Sequence, residues 1–336
     1  MTTLSGSTRK VFILAFILCS LMVIRPCAKA LAQQAPQYTP EEYSAYQAIT
    51  GESDPAKKID LIEKFYKAYP KSTLEQYIVS DFQGMLKGLQ DGKKWPQIAT
   101  VGRRFLSLVP GDAYTVALVA AAYQETKNYN EFVVFGEEAY KKSPSGIGAY
   151  WLAKAYQSLG NTAKFVQWAN TTVQKLPDNY EMLFELVKYY GDAQSFAEAD
   201  KYSRQCLKVI QAATKPEQMS EKDWETYVKA VQAGCYWIIG YGSYTKNDFL
   251  NAVTNLENAT KYNPRNDQAY YYLGQAYWQT QKTELALRNF AKASLLGGKA
   301  ANSAEQNLNN LYKQLHHGSL VGVEKYKEIA KAELSK

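Results

Sequence analysis

Histidine and cysteine are scarce in this sequence, with two histidines and four cysteines among 336 residues. The two histidines, His316 and His317, are neighbours in the chain. Adjacent side chains on a helix project about 100° apart, so this pair cannot easily converge on one metal ion. Beside Gly318, the pair is better placed to cover the C-terminus of a helix. We therefore expect neither a metal site nor a cofactor.

Catalytic motifs are missing as well. The segment Gly240-Tyr-Gly242 lacks the third glycine, the preceding strand and the Lys-Ser/Thr ending of a phosphate-binding loop. There is no nucleophile elbow and no zinc-protease motif. Carboxylate pairs such as Glu137 and Glu138 lie where a helical repeat exposes polar residues. The sequence therefore predicts that the protein is not an enzyme.

No apolar run near the N-terminus is long enough to anchor the chain in a membrane. Arg9 and Lys10 precede residues 11–24, which are fourteen residues without a charge. Roughly 20 apolar residues are needed to span a bilayer. Ala30-Leu31-Ala32 then stands directly before Gln33, as in a secretory signal peptide. We expect residues 1–32 to be cleaved, and the remainder to be periplasmic or secreted without stable membrane insertion.

Net charge gives little reason to expect a nucleic-acid partner. Removal of residues 1–32 lowers the count of Lys and Arg from 39 to 35 against 32 Asp and Glu, a net charge of about +3. Nucleic-acid binding needs Lys and Arg clustered on one face. Here they are spread along predicted helix exteriors, so we expect no nucleic-acid partner.

What the chain does contain is an internal repeat in its C-terminal third. Gly240, Ala252, Leu256 and Ala259 are each followed 34 residues later by Gly274, Ala286, Phe290 and Ala293. A fixed period of this length indicates stacked helical units. Further upstream, Pro110, Pro144 and Pro177 follow one another at 34 and 33 residues. No strand alternation accompanies the repeat, so the fold class is predicted to be all-α.

The repeat resembles the tetratricopeptide repeat (TPR), a 34-residue helix-turn-helix unit. Its clearest copy comprises Tyr270, Leu273, Gly274, Tyr277, Ala286, Phe290 and Ala293. In two upstream copies large and small residues trade places, with Phe132 and Phe165 at the small site and Gly136 and Ala169 four residues on. The resemblance implies a right-handed α-solenoid of about seven repeats. Its function would be to hold other molecules on an extended surface.

The expected order of segments follows from these patterns. An exposed lead-in occupies residues 33–39, the repeat array residues 40–300, and capping helices residues 301–336. Between Val187 and Gly240 the spacing is 53 rather than 34 residues. Lys215-Pro216 interrupts the helical pattern there, so the extra length is expected to extend the flanking helices.

A candidate binding surface follows from the family resemblance. In this family the concave face is lined by residues three before, one after and four after the glycine site of each first helix. Those residues are rich in aromatic rings, and the candidate set is Tyr150, Lys154, Phe184, Lys188, Trp237, Tyr241, Tyr244, Tyr271, Gln275 and Trp278. The alternative is that some of these rings pack against neighbouring helices. The set lacks the Asn of the Lys and Asn clamp that some relatives use for C-terminal carboxylates.

The leading hypothesis is an exported, non-enzymatic scaffold of the cell envelope that binds a peptide or protein in this groove. A glycan is a second candidate ligand, because aromatic faces also stack on sugar rings. A purely structural oligomer is a third possibility.

Two cysteines would remain after cleavage. Cys206 and Cys235 lie at inward-facing sites of neighbouring repeats, where they are either a disulfide in an oxidising compartment or two buried thiols. Spacing alone does not establish the geometry of a disulfide.

If residues 1–32 are cleaved, the exported product has a defined N-terminal residue. When the full reading frame is expressed in a secreting bacterial host, N-terminal sequencing and intact mass should show a chain that begins at Gln33. A product that retains residues 1–32 would contradict the assignment of a signal peptide.

Overall fold

The structure, a computed structural model, describes residues 38–335 of the chain. Within this range it contains sixteen α-helices and no strand, which confirms the predicted all-α class. The predicted signal peptide and residues 33–37 of the lead-in lie outside the described residues. Between residues 38 and 335, none of the helices is both long enough and apolar enough to span a bilayer.

The helices belong to two compact units. The first unit extends to Pro177 and includes Pro216–Met219, and the second comprises Asp178–Lys215 and the chain from Ser220 onward. The first unit contains α1 (Pro40–Gly51), α2 (Pro55–Ala68), α3 (Glu75–Asp91), α4 (Trp95–Leu108), α5 (Ala113–Glu125), α6 (Tyr129–Lys142), α7 (Gly146–Ser158) and α8 (Thr162–Lys175). The second contains α9 (Tyr180–Asp192), α10 (Phe196–Ala212), α11 (Glu221–Thr245), α12 (Phe249–Tyr262), α13 (Asp267–Gln279), α14 (Thr283–Leu295), α15 (Ala301–Leu315) and α16 (Glu324–Leu334).

Side chains just before the helices fix where several of them begin. Thr39 Oγ1 accepts a hydrogen bond from the Glu42 backbone N–H at 3.1 Å, and the Glu42 carboxylate accepts one from the Thr39 N–H at 3.4 Å. This reciprocal capping box starts α1, with Pro40 at the first helical position. Before α2, Asp54 Oδ1 accepts from two backbone N–H groups at 2.8 and 3.0 Å. Such caps stabilise a helix by about 1 kcal/mol each.

Small residues at the repeated positions let paired helices approach closely. In the α11–α12 pair, a Cβ added to Gly240 would lie 2.7 Å from Leu256 Cγ and 3.0 Å from the Leu256 backbone nitrogen. In the α13–α14 pair, a Cβ added to Gly274 would lie 2.7 Å from Phe290 Cδ1. Real Cβ contacts are essentially never as short as 2.7 Å, so the side chains of the second helix occupy the space that each glycine leaves.

The longer spacing after Val187 lengthens the two helices that flank it, as expected. α10 has 17 residues and α11 has 25, whereas α12 has 14 and α13 has 13. The loop between α10 and α11 contains Lys215 and Pro216, and α11 begins after the N-cap Ser220. The N-terminal half of α11 is therefore additional to the repeat, and its C-terminal half carries the repeat positions.

The last two helices both pack against α14. Leu308 of α15 and Ala330 of α16 are fully buried in the resulting interface. Glu333 of α16 pairs with Lys292 of α14 at 2.7 Å. Because these charged groups are partly exposed, the apolar burial contributes more to this end of the unit than the ion pair does.

Glycine substitutions test the close approach within the first unit. A Cβ on Gly102 of α4 would collide with Val119 Cγ2 of α5, whereas a Cβ on Gly84 of α3 meets no atom within 4 Å. Gly102→Ala should therefore lower the free energy of unfolding by about 1–3 kcal/mol, through overpacking. Gly84→Ala, the matched control, should raise it by about 0.5–1 kcal/mol, because alanine favours the helix. Urea denaturation measures both, and equal effects would contradict the close approach at Gly102.

Candidate interaction surface

Five aromatic residues of the second unit form one continuous group, here called the ring cluster. It consists of Trp237, Tyr241 and Tyr244 of α11 and Tyr271 and Tyr272 of α13. Trp237 stacks on Tyr241 with ring centroids 5.2 Å apart and an interplanar angle of 9°. The centroid of Tyr272 lies 4.7 Å from that of Tyr241 and 5.1 Å from that of Tyr244. The structure thus brings four of the predicted surface residues together on two neighbouring repeats.

Tyr272 is the centre of this cluster, and the sequence reasoning missed it. Its ring also lies 5.0 Å from Tyr271 and 5.9 Å from Trp237, so it contacts all four other members. The residue stands two positions before Gly274, outside the positions expected to line the surface. The available signal was the run Tyr270-Tyr271-Tyr272, in which three successive rings on one helix must point in different directions.

The cluster is half-buried. Trp237, Tyr244, Tyr271 and Tyr272 all pack against the buried core of the unit, which includes Leu256 and Leu273. Part of each ring remains accessible, so the cluster contributes both to the stability of the unit and to its surface. The alternative considered from the sequence, packing between helices, therefore accounts for part of the ring area.

Two phenol groups of the cluster, those of Tyr272 and Tyr244, have raised pKa values. Burial, and after it a hydrogen bond with the Tyr241 hydroxyl, raise the pKa of Tyr272. Burial also raises the pKa of Tyr244. Because an upward shift moves ionisation further above pH 10, these rings present an uncharged, aromatic surface with hydroxyl tips.

Amide side chains hold one ring of the cluster in place. The Tyr271 hydroxyl accepts a hydrogen bond from Gln275 Nε2 at 3.0 Å and another from Asn307 Nδ2 of α15 at 3.3 Å. Trp278, one turn beyond Gln275 on α13, packs beside the same core and is half-buried. Gln275 and Trp278 therefore continue the predicted surface from the ring cluster along α13.

Phe184 and Lys188 of α9 form a separate contact. Lys188 Nζ lies 5.4 Å from the centroid of the Phe184 ring and 2.8 Å from a carboxylate oxygen of Glu185. Phe184 also packs so close to α11 that a Cβ on Gly234 would lie 2.7 Å from its Cε2 atom. The Lys188 charge is therefore compensated locally, and Phe184 helps to hold α9 against α11.

The two remaining predicted surface residues, Tyr150 and Lys154, belong to α7 of the first unit. Lys154 is partly buried. Tyr150 is only 1% exposed, so its ring does not belong to the accessible surface on which the sequence analysis placed it. The physical reason is that α7 is buried on most of its faces, since the consecutive residues 149–153 are all buried. The Tyr150 ring packs edge-on against Trp151, with the two ring centroids 5.2 Å apart.

The predicted cysteine pair also lies in the second unit. Cys206 and Cys235 are fully buried and unbridged in the structure. Within residues 38–335, no three His, Cys, Asp or Glu side chains are grouped as metal ligands would be.

Comparison with known families gives a match to a helical repeat. The model of the TPR repeat matches residues 241–281. This segment runs from the end of α11 through α12 and α13, and it contains four of the five ring-cluster residues. No curated protein matches the chain.

Several solved structures resemble the chain at low identity. MamA AMB-1 is 19% identical, with 53% of this chain and 95% of that chain covered and a TM-score of 0.38. Yeast Tom70 is 17% identical, with 85% and 57% covered and a TM-score of 0.40. The C-terminal part of a TPR repeat-containing protein from Cytophaga hutchinsonii is 12% identical, with 75% and 93% covered and a TM-score of 0.43. With TM-scores under 0.5, these structures add nothing to the family match.

The central position of Tyr272 predicts unequal effects of two substitutions. Tyr272→Ala should lower the free energy of unfolding by about 2–4 kcal/mol, because four ring contacts are lost and a cavity is left. Tyr272→Phe keeps the ring and removes only the hydroxyl that pairs with Tyr241, so it should cost about 1 kcal/mol. Urea denaturation of both variants measures the difference. If the phenylalanine variant were as unstable as the alanine variant, the hydroxyl rather than the ring would hold the cluster together.

Proposed function

We propose that this chain, whose residues 241–281 match the TPR repeat, is a non-enzymatic scaffold that holds a protein or peptide partner on the ring cluster, Gln275 and Trp278. Helical repeats bury surface only between neighbours and leave an extended face for a partner. The observation that carries the proposal is the joining of Trp237, Tyr241 and Tyr244 with Tyr271 and Tyr272 across two repeats.

The chemistry of this surface suits a peptide or protein. Tyr and Trp supply large contact areas at low entropic cost, and their polar tips can hydrogen-bond to a backbone. Mutual ring packing and the two amide donors to Tyr271 hold the surface in one arrangement before binding. Less conformational freedom is then lost when the partner binds, which favours affinity.

The proposed place of action is the cell envelope or the exterior. Support comes from the sequence alone, in which Arg9 and Lys10 precede an uncharged apolar run and Ala30-Leu31-Ala32 precedes Gln33. A scaffold exported in this way would hold components of the envelope together. A glycan ligand and self-association were the alternatives at the sequence level. No observation on the ring cluster favours either, and both are outcomes of the experiment below.

Substitution of three aromatic residues tests the proposal. Protein expressed from the full reading frame would be immobilised and used to capture proteins from envelope extract. The variant Trp237→Ala/Tyr271→Ala/Trp278→Ala would be compared with it, and a captured protein would then be titrated against both. We expect binding to weaken by tenfold or more, about 1.4 kcal/mol or more, because aromatic anchors dominate such interfaces.

The matched control removes exposed rings elsewhere. Tyr43 and Tyr77 of the first unit are 39% and 47% exposed, and Tyr43→Ala/Tyr77→Ala should bind as the unchanged protein does. Circular dichroism must show that all variants remain helical.

Equal affinity of the triple variant and the control would contradict the ring cluster as the binding site. Retention of polysaccharide alone would favour the glycan alternative, and a concentration-dependent rise in mass without any ligand would favour self-association.

A further inference from the structure

The two thiols of the second unit are buried on neighbouring helices. Cys206 lies on α10 and Cys235 on α11, and both are 0% exposed. α10 and α11 pack directly on one another. Burial, and after it the Cys206 side chain, raises the pKa of the Cys235 thiol, so the two groups lie within electrostatic reach of each other. The sequence spacing alone left open whether the two side chains are neighbours, and the structure buries both of them on directly packed helices.

The surroundings of the pair limit its chemistry. Cys206 Sγ has the Tyr180 carbonyl oxygen as a weak acceptor at 3.6 Å, and Ser203 Oγ is buried without a hydrogen-bond partner. Because both sulfurs are inaccessible in the folded unit, neither can act as a nucleophile on an external substrate. Two thiols buried on neighbouring helices can still combine with each other.

We propose that Cys206 and Cys235 are the partners of a disulfide that joins α10 to α11 and that closes before the second unit is fully folded. The oxidant is a disulfide RSSR. One cysteine thiolate attacks RSSR, which forms a mixed disulfide and releases one RS⁻. The other cysteine thiolate then attacks the protein sulfur of the mixed disulfide and releases the second RS⁻. The two thiol protons pass to the two RS⁻ leaving groups, so the oxidant is reduced to two RSH.

The order of events follows from burial. Thiolate is the attacking species, and burial, followed by the neighbouring Cys206 side chain, raises the pKa of the Cys235 thiol in the folded unit. An oxidant also has no access to a fully buried sulfur. Exchange is therefore fast in the unfolded chain and blocked in the folded one. For the same reason, a bond that has closed is protected from reductants once the unit folds.

The proposed bond would also affect the ring cluster, because Cys235 lies on the helix that supplies most of its residues. Cys235 precedes Trp237 by two residues on the same helix, and the closed loop contains the α10–α11 connection at 213–220. A bridge here would fix α11, which supplies three of the five ring-cluster residues, to α10. This inference does not depend on the proposed function, because it concerns the second unit whether or not a partner binds.

Refolding in a redox buffer tests the proposal. The full chain, unfolded and reduced, would be refolded with oxidised glutathione, and unreacted thiols would be alkylated under denaturing conditions. Tryptic digestion should yield the peptide 205–208 joined to the peptide 230–246, with a mass two hydrogens below their sum. The bridged protein should also unfold at a higher temperature than the reduced protein. The double variant Cys206→Ala/Cys235→Ala should show no such redox dependence.

Two results would overturn the proposal. Alkylation of both Cys206 and Cys235 after oxidative refolding would exclude the bridge. Oxidation of the already folded, reduced protein at the rate of the unfolded chain would exclude the inferred order. The proposal predicts slow oxidation of the folded protein and rapid closure during refolding. Because cross-linking is read from peptide masses, failure of the partner-binding experiment would leave this result unaffected.

Discussion

The architecture depends on helix contacts in which one residue has no Cβ. Gly240 leaves space that Leu256 fills, and Gly274 leaves space that Phe290 fills. A methyl group at either glycine would force the helices apart, and interiors packed at crystal-like density absorb such changes poorly. Since each of these contacts joins successive helices, the core of the second unit is a series of local interfaces. The rest of the fold, including its surface, follows from the repetition of those interfaces.

That repetition also explains the composition of the ring cluster. Trp237 and Tyr271 stand 34 residues apart, at the same place in two copies of the repeat. Tyr241 has Gln275 as its counterpart, and this difference has a structural result. An amide donates to the Tyr271 hydroxyl at 3.0 Å in one repeat, whereas a ring stacks on Trp237 in the other. The same positions therefore produce aromatic stacking at one point of the surface and a directed hydrogen bond at the next.

The sequence predicts packing within a repeat better than packing between repeats. The small residues and their fillers recur at a fixed spacing, so Gly274 and Phe290 could be assigned to a helix interface from the sequence alone. Tyr272 and Tyr150 could not, because their environment depends on the neighbouring helices. Tyr272 meets three rings of α11, and Tyr150 lies on a helix that is buried on most of its faces. Neither arrangement is encoded in the 34-residue period itself.

The ring cluster consists of aromatic rather than charged side chains, and this composition determines how it can discriminate between partners. Burial and the Tyr241 hydroxyl keep the Tyr272 phenol protonated, and the Lys188 charge is matched by Glu185. Long-range attraction between unlike charges, which mainly accelerates encounter, therefore has little to act on here. Selectivity must come from shape and from hydrogen bonds at short range, where an unpaired polar group is penalised. Both require that the rings keep their positions, so the contacts that stabilise the second unit are the same contacts that give its surface a defined shape.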